Sequence, residues 1–191
     1  MKYENIFPVG ILVHDVPTKI ANETEEFVVA NLDKIPRPTK DAPHATDYFE
    51  KDKAVHLKYD TPLLFEHIDE CVRDFQNKNM MNRIHAGYDY NWWVQDYKEG
   101  DVHDEHHHNV GQISGVYWVR ANENAGGLSF RNPNLFVEYG HTTKDTAPYS
   151  WQEYVYQPVK GRLLLFPSYL KHTVLPSKKD CIRTTIAFNV R

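Results

Sequence analysis

Apolar residues follow two different spacings along the chain, and the change falls near residue 85. Before it, they recur at helical intervals. From Thr18 to Asp33, Ile20, Phe27, Val28 and Leu32 share a helical face, with Thr18 placed to cap and Pro36 and Pro38 to close the element. A second helix is predicted over about Thr61 to Lys78, where Leu64, Ile68, Cys71, Val72 and Phe75 form one stripe. Thr61 followed by Pro62 suits its start, because a proline in the first turn has no amide hydrogen to leave unpaired. Ile6 to Val13 reads as an edge strand, and Ala54 to Lys58 as a short strand in an otherwise irregular stretch.

Beyond residue 85, short β-rich runs alternate with turns rich in Gly, Asn and Pro. The predicted strands are Tyr88–Tyr97, Ile113–Val119, Leu128–Phe130, Glu153–Gln157, Arg162–Phe166 and Arg183–Val190. Many short strands between turns indicate a sandwich or barrel. With no repeat or internal boundary visible, residues 1–191 read as one mainly β domain. Helical support covers about 1–85 and a β core about 86–191, so two N-terminal helices pack on a β-sandwich.

Composition narrows the class. The 191 residues are 41% hydrophobic and 25% charged, which excludes a disordered chain. Lys and Arg number 22 against 26 Asp and Glu, a net charge of −4, so no basic excess marks a nucleic-acid binder. No apolar run is long enough for a transmembrane helix, and the Pro8- and Gly10-broken start is a poor signal peptide. Cys71 and Cys181 make no disulfide framework, so a reducing cytoplasm is the expected location.

Histidine carries the candidate chemistry. There are 11, and residues 100–108 read Gly-Asp-Val-His-Asp-Glu-His-His-His. In an extended segment, residues two apart point the same way, so His106 and His108 could reach one ion while His107 faces away. The distal His172, after the strand ending Phe166-Pro167-Ser168, is the candidate third ligand; Ser168 reads as a turn residue. His103, Asp104 and Glu105 are candidates to orient ligand imidazoles through their second ring nitrogen. Eleven residues past His172 stands Arg183. Alternation puts Arg183, Thr185, Ala187 and Asn189 on one strand face, and a guanidinium fork beside a hydroxyl suits a carboxylate. Trp92, Trp93, Tyr117 and Trp118 are candidate pocket residues, although aromatics in strands are more often core.

Together, the His-rich strand, the distal His and the Arg beyond it resemble the Fe(II)/2-oxoglutarate-dependent oxygenases. Further likeness lies in Phe7-Pro8, Gln95-Asp-Tyr97, Ser114-Gly-Val-Tyr117, Gly161 through Ser168, and Arg183-Thr-Thr-Ile-Ala-Phe-Asn189. The chain resembles in particular the small oxygenases of this family found in bacteria and tailed phages. The resemblance covers about residues 88–191 and implies a double-stranded β-helix (jelly roll). It also implies Fe(II) held by His106, His108 and His172, and 2-oxoglutarate as cosubstrate held by Arg183, Thr185, Tyr97 and Gln95. The implied reaction oxidises, by hydroxylation, a C–H bond of a small molecule or peptide, releasing succinate and CO2; a homodimer is compatible. Loops at Asn122–Gly127 and Asn132–Tyr149 are expected to shape the entrance.

One departure stands out. The usual triad is two histidines and a carboxylate, and His108 stands at the carboxylate position. Asp104 or Glu105 could supply a carboxylate instead. A cupin reading, with Gln112 near the place of the cupin glutamate, and a three-histidine dioxygenase without 2-oxoglutarate remain as alternatives. Arg183 and the Gln95/Tyr97 pair favour the oxygenase.

Overall fold

The computed structural model describes residues 9–39, 42–49, 60–79, 88–109, 111–134 and 151–191. Among the described residues, ten strands form two antiparallel sheets. The major sheet has the order β1-β8-β5-β10-β3-β2: β1 (Leu12–Asp15), β8 (Arg162–Pro167), β5 (Ile113–Ala121), β10 (Arg183–Val190), β3 (Tyr90–Tyr97) and β2 (Ala45–Thr46). The minor sheet has the order β4-β9-β6-β7: β4 (His103–His106), β9 (His172–Val174), β6 (Leu128–Arg131) and β7 (Glu153–Tyr156). Two full α-helices lie among the described residues, α1 (Thr18–Val29) and α2 (Pro62–Lys78).

Both faces of the major sheet are covered. On one, Val28 of α1 and Leu64, Phe65, Ile68, Val72 and Phe75 of α2 pack against Val94, Tyr117, Val119, Leu163, Leu165, Ile186, Phe188 and Val190. On the other, Trp93, Val116, Trp118, Leu164, Phe166 and Ala187 meet Leu128, Phe130 and Val174 of the minor sheet. Each strand therefore sends alternate residues into two different cores. That is why β8 reads as an unbroken apolar run, Leu163-Leu-Leu-Phe166, with no polar face to alternate with. Gly115 is required where β5 crosses β10: a Cβ there would lie 2.1 Å from the Phe188 ring.

Several boundaries differ from the sequence expectation. Among the described residues the edge strand spans Leu12–Asp15, and the first part of the predicted Ile6–Val13 lies outside them. Helix α1 ends at Val29, and Leu32–Lys34 forms a separate 3-10 turn. Pro17, not Thr18, occupies the cap position of α1, so Thr18 is already helical. Thr61 is the cap residue of α2 with Pro62 after it, but its hydroxyl makes no capping bond. Strands β9 and β2 were not anticipated; β4 falls within the segment read as extended from its histidine spacing but ends at His106, before His108, and β10 spans the predicted residues. Phe7-Pro8, Ala54–Lys58 and most of the Asn132–Tyr149 loop lie outside the described residues.

Candidate functional site

Three histidines converge where the minor sheet meets β10. His106 and His172 are direct cross-strand partners in the β4–β9 pairing. His108 lies two residues past the end of β4, and its amide donates to the Ser168 carbonyl (2.9 Å). The ring centroids are 4.3 Å (His106–His172), 5.3 Å (His106–His108) and 5.2 Å (His108–His172) apart. One nitrogen of each lies within 4.8 Å of the others, a spacing one metal ion could bridge. His107, between them, is exposed.

The tautomers are set by what each Nδ1 faces. His106 Nδ1 meets the Asp104 carbonyl at 2.7 Å and His172 Nδ1 the Leu170 carbonyl at 2.8 Å. His108 Nδ1 meets Asn189 Oδ1 at 2.5 Å. All three oxygens only accept, so each Nδ1 carries the hydrogen and each Nε2 keeps its lone pair for a cation. Ser114, buried between Ser168 (2.9 Å) and Asn189 (2.8 Å), extends this network. Ser168 is thus more than a turn residue: its buried hydroxyl belongs to the support beneath His108.

Burial disfavours charge on these rings. It lowers the pKa of His106 and His108 against the opposing pull of their Nδ1 hydrogen bonds. Burial, then the neighbouring His106, takes His172 down to about 3. The same two causes take His103 down to about 2; its ring stacks on His106 with centroids 4.0 Å apart. The donor set at neutral pH is therefore uncharged imidazole. Glu105 is exposed and meets Lys171 at 3.3 Å and Arg131 at 3.6 Å. Asp104 is also exposed and serves His106 through its backbone carbonyl rather than its carboxylate. Gln112, the residue weighed for a cupin glutamate, is exposed.

Beside the histidines, β10 and β3 bring the predicted carboxylate-binding residues together in register: Arg183 opposite Tyr97 and Thr185 opposite Gln95. Arg183 is only 1% exposed. Its Nε donates to the Gly126 carbonyl (3.1 Å), and its guanidinium carbon sits 4.1 Å from the Tyr97 ring centre. Arg183 Nη1 and Tyr97 Oη make no hydrogen bond of good geometry, although guanidinium and phenol lie close enough to act on each other, and no carboxylate among the described residues pairs with the guanidinium. Burial depresses the Arg183 pKa and raises that of Tyr97, the latter partly offset by the Arg183 charge. A buried guanidinium with an unused N–H is costly unless an anion arrives. Thr185 Oγ1 makes a long contact to Gln95 Oε1 (3.4 Å).

Sequence reasoning missed His44. It stacks on Tyr97 (4.7 Å) and faces His103 (4.9 Å), with its Nε2 3.0 Å from Gln95 Nε2. A lone histidine between Pro43 and Ala45 carries no signal of its own. His44, Gln95, His103, His106 and His108 line a cleft of about 760 Å³ together with Tyr48, Phe49, Trp93 and Asn189, whereas Tyr97, Arg183, Thr185 and His172 lie behind its wall. Of the four aromatics weighed as lining, only Trp93 reaches the cleft; Trp92, Tyr117 and Trp118 pack into the cores.

A jelly roll holding an imidazole cluster next to a buried, unpaired arginine defines a class of non-haem metal enzyme that takes an anionic cosubstrate. The comparisons agree. The family described as "Putative 2OG-Fe(II) oxygenase" matches residues 91–189, just over half of the chain. The chain belongs to this family: it is a 2-oxoglutarate-dependent non-haem iron oxygenase, an oxidoreductase that uses Fe(II) and 2-oxoglutarate. Among solved structures, it resembles a Pseudomonas putida prolyl-4-hydroxylase (14% identity, TM-score 0.63, covering 96% of this chain and 94% of that one). It also resembles a Trichoplax adhaerens prolyl hydroxylase in complex with a hypoxia inducible factor peptide fragment (15%, 0.57, 94% and 82%). A third similar structure is the carbocyclase SnoK from nogalamycin biosynthesis (12%, 0.63, 95% and 79%). At these identities the likeness speaks for the fold. No match was found among curated proteins. No helix among the described residues is long and apolar enough to cross a membrane.

The residues present fit the family's two groups. The imidazoles offer three lone pairs to a cation, and the unsatisfied Arg183 Nη1 and Tyr97 Oη offer donors to a carboxylate.

Proposed function

We propose that the protein hydroxylates a C–H bond of a peptide or small molecule, converting 2-oxoglutarate to succinate and CO2. In this reading His106, His108 and His172 hold the Fe(II), and Arg183, Tyr97, Thr185 and Gln95 hold the far carboxylate of 2-oxoglutarate. Bound together, iron and 2-oxoglutarate supply the activation of dioxygen. The chain's own residues do the rest. The Asp104 and Leu170 carbonyls and Asn189 hold the ligand rings by their Nδ1 hydrogens, which fixes each ring's orientation. Three neutral imidazoles bring no negative charge, so the dianionic cosubstrate offsets the cation more than in a site with a carboxylate ligand. The engagement of Glu105 by Lys171 and Arg131 supports His108 as third ligand. His103, stacked on His106, limits that ring's tilt. Tyr48, Phe49 and Trp93 give the cleft an apolar wall that receives substrate and excludes water.

The observation carrying this reading is the buried Arg183, which lies over the Tyr97 ring and has no carboxylate partner among the described residues. Calorimetry with a non-oxidising divalent metal tests it. Arg183→Met should weaken 2-oxoglutarate binding at least about tenfold, the effect of losing a charge-assisted contact, while metal affinity changes little. Equal binding by both proteins would overturn the assignment. With Fe(II) and ascorbate, wild type should form succinate from 2-oxoglutarate.

A further inference from the structure

A second group of metal-ligating side chains lies on the opposite face of the major sheet and takes no part in the proposed reaction. His14 of β1 shares a strand face with Leu12, which packs against the helix-covered core. His67 and Cys71 stand four residues apart on α2, so both face β1 from successive turns. The three ligand atoms lie within 4.8 Å of one another. His14 Nε2 and His67 Nε2 are 2.9 Å apart. The other nitrogen of His67, Nδ1, faces the Glu70 carboxylate at 3.7 Å.

We propose that His14, His67 and Cys71 form a binding site for a borderline-soft divalent cation, zinc by its chemistry, separate from the iron centre. Donor type makes the separation: this site offers a thiolate, whereas the iron-site histidines offer nitrogen alone. Geometry supports it. With Zn–N bonds of about 2.0–2.1 Å and tetrahedral angles, two ligating nitrogens lie about 3.3 Å apart, so the Nε2 pair needs to open by only a few tenths of an ångström. Glu70 lies 3.7 Å from the His67 nitrogen away from the cation, beyond hydrogen-bond distance but close enough for its exposed side chain to swing onto a metal-bound ring. It is largely exposed, and the two histidines are only part-buried, so an ion has a path in. Three protein ligands leave the fourth position to water. On binding, the Cys71 thiol gives its proton to solvent and the thiolate takes the cation. The bound ion would tie the edge strand β1 to α2 and raise the stability of the folded state by mass action.

Cobalt(II), titrated into the full-length metal-free protein, is the probe. Wild type should show a thiolate-to-cobalt charge-transfer band, which a site of three imidazoles cannot produce. The band should persist in Cys181→Ser and in His106→Ala, and vanish in Cys71→Ser. His14→Ala, at a part-exposed position on an edge strand, should weaken the cobalt affinity read from the band at least about tenfold and serves if Cys71→Ser fails to fold. Absence of the band in wild type, its survival in Cys71→Ser, or unchanged affinity in His14→Ala would each overturn the site. A band without any second cobalt equivalent would leave this site standing and count against the iron-site assignment.

Discussion

The two faces of β10 are equally buried and chemically unlike. Toward the helices it presents Ile186, Phe188 and Val190, each within the larger core. Toward the minor sheet it presents Arg183, Thr185, Ala187 and Asn189. Burial therefore does not tell the faces apart; unmet bonding capacity does. The helix-side residues complete every contact when the chain folds. On the other face, Arg183 has an N–H without a good hydrogen bond among the described residues, and Asn189 holds the His108 ring whose nitrogen faces the cluster with His106 and His172. One face is completed by folding, and the other keeps donors for the ligands proposed above.

The largest effect expected from this contrast is acid sensitivity of the metal-free protein. His172 and His103 are pushed down to about 3 and about 2, mainly by burial, whereas in the unfolded chain they titrate near 6.5. Above that value both states are neutral and the two rings contribute no pH dependence. As pH falls below it, only the unfolded state takes up protons, so stability drops by at most about 1.4 kcal/mol per unit for each ring, until the folded pKa is passed. Urea midpoints should fall steadily from about pH 6.5 to pH 4 and less steeply in His172→Phe, while saturating Zn(II) should raise the midpoints without changing the slope, because the folded rings take up no proton in that window with or without metal. A profile indifferent to His172→Phe would count against it.

Phe188→Ala comes next. Removing a fully buried ring that also packs over Gly115 should cost about 3–5 kcal/mol in chemical denaturation. Asn189→Ala, one position along on the other face, should instead lower metal affinity by about 10–100-fold, with the histidine ring less well oriented. The smallest effect should be that of Arg183→Met on stability. A hydrocarbon of similar length replaces a buried charge that lacks an anion, so the change should stay within about 1 kcal/mol even as 2-oxoglutarate binding is lost. A loss as large as that of Phe188→Ala would erase the distinction between the faces.

The long strands were legible because Gly- and Asn-rich turns punctuate them and because β-branched and aromatic residues fill them; β10 could be read to the residue. The helices were legible from period, but α1 was read too long, since Leu32 continues the apolar spacing into a 3-10 turn. Strands β2, β4 and β9 have two, four and three residues, too few to show a period, and β4 is wholly polar. In the site, consecutive histidines and the distal His-Arg spacing were visible. His44 was not, because its neighbours Tyr97 and His103 are brought to it only by folding. The same holds for His14 and His67, 53 residues apart and joined by the docking of a strand edge on a helix.

The order of strands has a consequence for how the molecule behaves in a crowd. The sheets end at β1, β2, β4 and β7, and these run to four, two, four and four residues. The nine- and eight-residue strands β5 and β10 lie inside the major sheet with partners on both sides, and β3 is paired by β10 along its length and by β2 at Gln95 and Asp96. A foreign strand seeking a template finds only a few rungs before the ladder stops, and at β1 it meets the Asp15–Arg162 ion pair. Short, charged margins of this kind discourage the edge-to-edge association that leads to aggregation. Among the described residues, the sequences most prone to stack are those the architecture keeps away from neighbouring molecules.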